Sequence, residues 1–240
     1  MGIYLWRRTI STLNIRWLHC RCLTLYNTAN GYDEVKIKEK LSRFKGGSIN
    51  LSKMDNGIAE LKEGMMMCML MQNTLTRLQR LPLISLAFIQ GKALGGGAEL
   101  STACDFRLMT DESEVRFVHK QMGLVPGWGG AARLIEIIGS RHALKLLSGS
   151  LRVNPVHALE LGLADDIIST GVDDSLLEAH KWIMQYTKGS ADVNQAVKKV
   201  ITSGRENILA DALRAEKEIF GNVWGGPANL QALAKGTKHK

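Results

Sequence analysis

The apolar positions of this chain gather first into short runs set off by proline and glycine, then spread into stripes at helical spacing towards the C-terminus. LISLAFIQG (83–91) is a continuous apolar stretch closed by Gly91, the pattern of a buried strand, and DFRLMT (105–110) is a second one. Ahead of them, LKEGMMMCMLMQNTLTRLQRL (61–81) predicts a long helix that stops before Pro82. Further upstream, VKIKEKLSRF (35–44) predicts a short helix. SINLSKMDNGIAEL (48–61) predicts two extended pieces around the turn signal Asp55-Asn56-Gly57. A helix is expected at about 97–103, others at 127–139, 142–149 and 157–164, and the last seventy residues read as successive helices. On one of these, Ile208, Leu209, Ala212, Leu213, Ile219 and Phe220 share a face.

Composition adds little to the class but narrows the partners. The chain has 240 residues, 45% hydrophobic and 22% charged, enough for one large domain. Its net charge of +8 is concentrated at the ends. Residues 1–32 carry four arginines and no acid, Lys235, Lys238 and Lys240 add three charges, and the intervening body retains +1. A nucleic-acid surface needs clustered basic residues on ordered structure, so none is expected. The arginine-bearing start resembles a mitochondrial transit peptide, with a basic tail as the alternative. No run of 18 apolar residues occurs, so no membrane span is expected. Cys20, Cys22, Cys68 and Cys104 form no CxxC pair or disulfide framework. His19, Cys20 and Cys22 are adjacent but fall short of the four well-spaced ligands of a closed metal site, and no metal is expected.

The chemistry concentrates where the first apolar run meets three glycines. In IQGKALGGGAELSTACDF, a strand followed by Gly95, Gly96 and Gly97 and then a helix leaves the first helical N–H groups unpaired, at the positive end of the helix dipole. Phosphate binding of the Walker type requires Lys and Ser/Thr after the last glycine, where Ala98 and Glu99 stand, and the GxGxxG spacing is absent too. An oxyanion that forms during a reaction remains. Close packing of the helix on a neighbouring strand explains such a triplet equally well, and Glu99 also suits the first turn of any helix. The five methionines at 65–71 suit either an adaptable acyl pocket or simple core packing.

IQGKALGGGAELSTACDFRL, MGLVPGWGGAARLIEIIGSRHALKLLSG and HALELGLADDI together resemble the crotonase, or enoyl-CoA hydratase/isomerase, superfamily over residues 65–235. The resemblance implies an α/β fold, a crotonase-type ββα spiral, here incomplete in its N-terminal half, with a C-terminal helical oligomerisation region. The corresponding segments are 1–32 as a basic tail, 33–170 as the partial core and 171–240 as the helical region. It also implies an acyl-CoA thioester as substrate, no cofactor beyond the CoA the substrate carries, and trimers or hexamers. The Gly96 N–H is expected to stabilise a thioester enolate, with Leu94, Gly95, Gly97 and Trp128 around the substrate. Core packing is as good a reason for Trp128.

Glu99 falls where hydratases keep one of two acid/base glutamates, and His119 falls where the second is expected. Water addition needs the paired carboxylates, so the histidine argues against hydration. FVHKQMG and WGGPANLQALAKG look most similar to decarboxylating members, in which a malonyl-type carboxylate leaves as CO2 and an acid returns a proton to the enolate. Glu99 and His119 are then the groups that place the carboxylate or reprotonate, His119 having a packing role as the alternative. Such decarboxylases imply the cytosol.

One departure matters. Between DNGIAEL and KEGMMM the family has several dozen more residues, including an S-x-G-x-D-L loop with the second oxyanion N–H and much of the CoA grip; none of it is present. Losing one such donor costs about 3–4 kcal/mol of transition-state stabilisation, or roughly 100- to 1000-fold in rate. Reduced activity is therefore expected of this form.

Overall fold

Two successive ββα turns make the centre of the molecule. The computed structural model describes residues 24–25, 57–169 and 175–236. In the first turn, strand β2 (Ser85–Ile89) leads through Gly91 into β3 (Lys92–Leu94) and helix α2 (Gly96–Ser101). In the second, β4 (Phe106–Thr110) leads into β5 (Glu114–Arg116), a short 3-10 turn (His119–Met122) and helix α3 (Gly130–Gly149). The turns stack in parallel: Leu86 pairs with Phe106 through to Ile89 with Met109, and Lys92 with Glu114 through to Leu94 with Arg116. Strand β6 (Asp166–Ile168) joins the far side of β4, and the two-residue β1 (Thr24–Leu25) lies antiparallel to β2, giving the sheet order β1-β2-β4-β6. This is the α/β, ββα-spiral architecture expected.

Both faces of the main sheet are covered, which is why its strands read as unbroken apolar runs rather than alternating ones. Ile89 and Met109 pack with Phe117, Leu134 and Ile138, whereas Leu86, Phe88 and Leu108 pack with Ala179 and Ile183 of helix α5 (Ser175–Thr187). Short α4 (Pro155–Glu160) is capped by Asn154, whose Oδ1 accepts the His157 N–H at 2.8 Å. Two of the expected helices join as α3, with Gly139 at φ 76° as the break between its arms.

Helix α1 (Gly57–Gln79) differs from the expectation. It begins four residues earlier than the apolar pattern suggested, so Gly57, expected in a turn, and residues 58–60, expected to be extended, are helical, and it passes uninterrupted through residues 61–62, where the resemblance puts the family's extra segment. The helix expected at 35–44 and the rest of the 48–61 stretch lie outside the described residues. Most of the methionine run is not core: Met65, Met66 and Met69 are exposed and Met67 and Met71 half-buried.

Helices α6 (Ala191–Glu206), α7 (Leu209–Val223) and α8 (Pro227–Ala234) complete the chain, with α6 and α7 packed on each other. The buried Lys198 anchors this arm by an ion pair with Asp105, whose second oxygen accepts the Ser85 N–H and Oγ–H, each at 2.8 Å. Lys198→Ala should cost about 3 kcal/mol, near the lower end for breaking a buried pair, because Asp105 keeps its serine donors. Thermal unfolding should show this as a fall of about 6–12 °C in Tm; an unchanged Tm would mean that the pair contributes nothing to anchoring the arm.

Candidate active site

The backbone bends most sharply at Gly95, at φ 52° and ψ −115°, a conformation that favours glycine. Its N–H continues the strand pairing by donating to the Arg116 carbonyl at 3.0 Å, and its carbonyl accepts the Glu99 N–H. The next N–H, that of Gly96, opens α2 and donates to no acceptor among the described residues. A side chain at position 96 would overlap the six-membered ring of Trp128. Gly96 therefore clears space for an indole, a reason the triplet alone did not reveal. Gly97 is buried in the first turn, Trp128 is half-buried, and Leu94 ends β3 with its side chain exposed.

Glu99, 1% exposed, projects from α2 into the start of α3. Its Oε2 accepts the backbone N–H of Trp128 at 2.8 Å and of Gly130 at 2.9 Å. Its Oε1 lies 2.9 Å from Nε2 of His119, itself 7% exposed. An ionised carboxylate only accepts hydrogen bonds, so the proton of the third contact is assigned to His119 Nε2. The other ring nitrogen, Nδ1, is buried and has no hydrogen-bond partner among the described residues. The sequence separates Glu99 and His119 by twenty residues; parallel pairing of β3 with β5 brings their following segments together.

Arg133, which the sequence analysis did not single out, clamps this arrangement. Its Nη2 donates to the Trp128 carbonyl at 2.9 Å and to the Glu99 carbonyl at 3.4 Å, and its Nε donates to Thr102 Oγ1 at 3.1 Å. Burial presses its pKa below the ordinary arginine value, with the Glu99 charge opposing that shift. A basic residue within the apolar AARLI segment was the available signal. On the other side, α1 closes on the segment before Trp128: Gln72 Nε2 donates to the Gly127 carbonyl at 2.8 Å, and the Cys68 sulfur packs against Gly127.

Gly96, Trp128, Glu99 and His119 thus form one contiguous set of contacts. No group of three or more metal-ligating side chains occurs among the described residues, and no helix among them is long and apolar enough to cross a membrane.

The comparisons with known proteins agree with the fold. Residues 52–226 match the enoyl-CoA hydratase/isomerase family. The ethylmalonyl-CoA decarboxylase of Xenopus tropicalis is 60% identical over 299 residues, covering 100% of both chains. Since this chain has 240 residues, at least 59 positions of that alignment have no counterpart in it. The ethylmalonyl-CoA decarboxylase of Homo sapiens is 44% identical over 278 residues, covering 91% of each chain. Among solved structures, an enoyl-CoA hydratase from Bacillus anthracis superposes with a TM-score of 0.66 at 25% identity, over 77% of this chain and 70% of that one. The ββα turns, the glycine-opened helix and these matches place the chain in the crotonase, or enoyl-CoA hydratase/isomerase, family of enzymes.

Proposed function

We propose that this chain decarboxylates ethylmalonyl-CoA, with methylmalonyl-CoA as a related substrate, through a thioester enolate stabilised by the Gly96 N–H. Two relatives at 60% and 44% identity carry the name ethylmalonyl-CoA decarboxylase. The observation that carries the choice of chemistry is the occupancy of Glu99. With Oε2 taken by two backbone donors and Oε1 facing His119 instead of a second carboxylate, the paired carboxylates that hydration uses to hold and split water are not formed. Decarboxylation needs no such water: the carboxylate departs as CO2, its electron pair enters the enolate, and one proton returns. Glu99 and His119 serve the placing of the carboxylate or that reprotonation, Trp128 walls the acyl group, and Leu94, Gly95 and Gly97 complete the surroundings of the thioester. No metal or bound cofactor is needed.

Activity should be low, because by family resemblance this chain lacks the S-x-G-x-D-L loop, its oxyanion donor and its hold on CoA. The test is to offer purified protein ethylmalonyl-CoA and an unsaturated acyl-CoA side by side. Release of CO2 with formation of butyryl-CoA, roughly 100- to 1000-fold slower than by a full-length relative, and no hydration, is expected. Hydration without CO2 would make the chain a hydratase.

A role as a partner for longer copies is favoured by a separate observation. Ile208, Leu209, Leu213 and Phe220 are exposed, and no side chain of α7 is buried within the chain. Apolar area of this kind on one helix face suits association with other copies, into trimers or hexamers by family resemblance. Phe220→Glu should shift sedimentation from the assembly towards the 26.5 kDa monomer; a wild-type protein already monomeric would remove this role. We assign the protein to the cytosol, with the mitochondrion as the alternative that a fluorescent fusion with and without residues 1–32 would detect.

A further inference from the structure

The decarboxylase reading leaves open which of the two buried side chains returns the proton, and the hydrogen bonds divide the labour between them. Glu99 is fixed by three contacts that engage both carboxylate oxygens in directions set by the start of α3 and by His119. His119 is the opposite case. One ring nitrogen is fixed to Glu99, and the other, Nδ1, is a polar atom in a residue more than nine-tenths buried, with no hydrogen-bond partner among the described residues. Buried polar atoms without partners are uncommon and call for a ligand or a catalytic reason. The ring is also held in place: Phe117 lies 6.4 Å from it, and the Leu124 N–H donates to the His119 carbonyl at 2.9 Å. The charged groups facing this pair are Glu99 itself and, behind it, Arg133.

We infer that His119 is the acid that protonates the enolate, through Nδ1, and that Glu99 is a positioning residue that neither gives nor takes a proton. This inference rests on the decarboxylase reading. In the reacting form the ring is the imidazolium, paired through Nε2–H with the Glu99 carboxylate. The bond between the α-carbon and the carboxylate breaks, CO2 leaves, and the electron pair passes into the thioester enolate. The enolate α-carbon then takes the Nδ1 proton, forming a C–H bond and leaving a neutral ring that regains one proton from solvent. Atoms and charge balance with one proton consumed per CO2 released. Glu99 keeps the ring in the tautomer whose free nitrogen is Nδ1 and balances the imidazolium charge.

The test follows ethylmalonyl-CoA turnover by the full 240-residue chain in D2O, together with 15N spectra of the histidine rings. Wild type should place one deuterium on the α-carbon of butyryl-CoA in a single configuration, and its neutral His119 ring should carry the proton on Nε2. His119→Gln should slow turnover about 100-fold or more, the usual contribution of a placed acid, and give both configurations as water takes over. Glu99→Gln should retain the single configuration, lower kcat more than it changes KM, and move the His119 proton to Nδ1, because an amide NH2 now faces Nε2. That ring shift is a signature a merely structural role would not produce. If His119→Gln still yields one configuration, or the wild-type neutral ring is protonated on Nδ1, the inference is overturned while decarboxylation stands. If wild type releases no CO2, the functional reading fails and this inference falls with it.

Discussion

Glu99→Ala should be the most damaging single change in this molecule, destabilising it by about 3 kcal/mol or more, since each buried donor left without an acceptor costs about 1–3 kcal/mol, and removing nearly all turnover. Three donors converge on that carboxylate, from Trp128, Gly130 and His119, and alanine would leave each without an acceptor. The Trp128–Gly130 turn would then be held to α2 mainly by Arg133, and the His119 ring would lose the contact that fixes its tautomer. Denaturant unfolding measures the first effect and CO2 release the second. The two variants at this position separate the roles, because Glu99→Gln preserves an oxygen for the amides and should recover most of the lost stability without recovering the rate. Alanine matching wild type in unfolding would mean that the carboxylate does not hold the turn.

Gly96→Ala is the second large effect. The added methyl has nowhere to go, since the Trp128 ring fills the space beside the Cα atom. Either the indole moves or the first turn of α2 does, at a cost of about 1–3 kcal/mol for overpacking. The consequence for catalysis is larger: an N–H misdirected by a shifted turn loses an oxyanion donor, roughly 100- to 1000-fold in kcat. Combining Gly96→Ala with Trp128→Ala tells the two apart. The double variant should regain part of the stability lost by the first change, because the collision is gone, a non-additivity expected of residues in contact. Strict additivity in unfolding free energy would mean that the two do not touch.

The sequence disclosed the parts of this site that depend on local pattern and hid those that depend on pairing. The strand Ser85–Ile89 was legible because it is covered on both faces and ends at a glycine, and the start of α2 because a triple glycine permits the positive φ at Gly95. Strands β3 and β5 were missed. They are three residues each, Lys-Ala-Leu and Glu-Val-Arg, with charges at their ends, and their parallel partners lie more than twenty residues away. The same non-local pairing brings His119 to Glu99. The residue types at both positions were visible, but not that backbone amides from Trp128 and Gly130 would occupy the remaining carboxylate oxygen. No sequence pattern marks a backbone donor, so the positioning role proposed for Glu99 rests on the geometry alone. Helix α1 begins earlier than the apolar spacing suggested, its first residues Gly57–Glu60 continuing the helix that Leu75 anchors in the core.

The claim on which the account turns is that the Gly96 N–H and the His119 ring meet the same reacting thioester. An acyl-CoA analogue bearing a nitronate in place of the enolate carries the anionic charge without reacting, and amide and ring 15N spectra report both groups at once. The account predicts that the Gly96 amide proton moves downfield on binding, as an amide does when it donates to an anion, and that the His119 ring resonances shift in the same titration. An analogue that binds while the Gly96 amide stays where it was would contradict it.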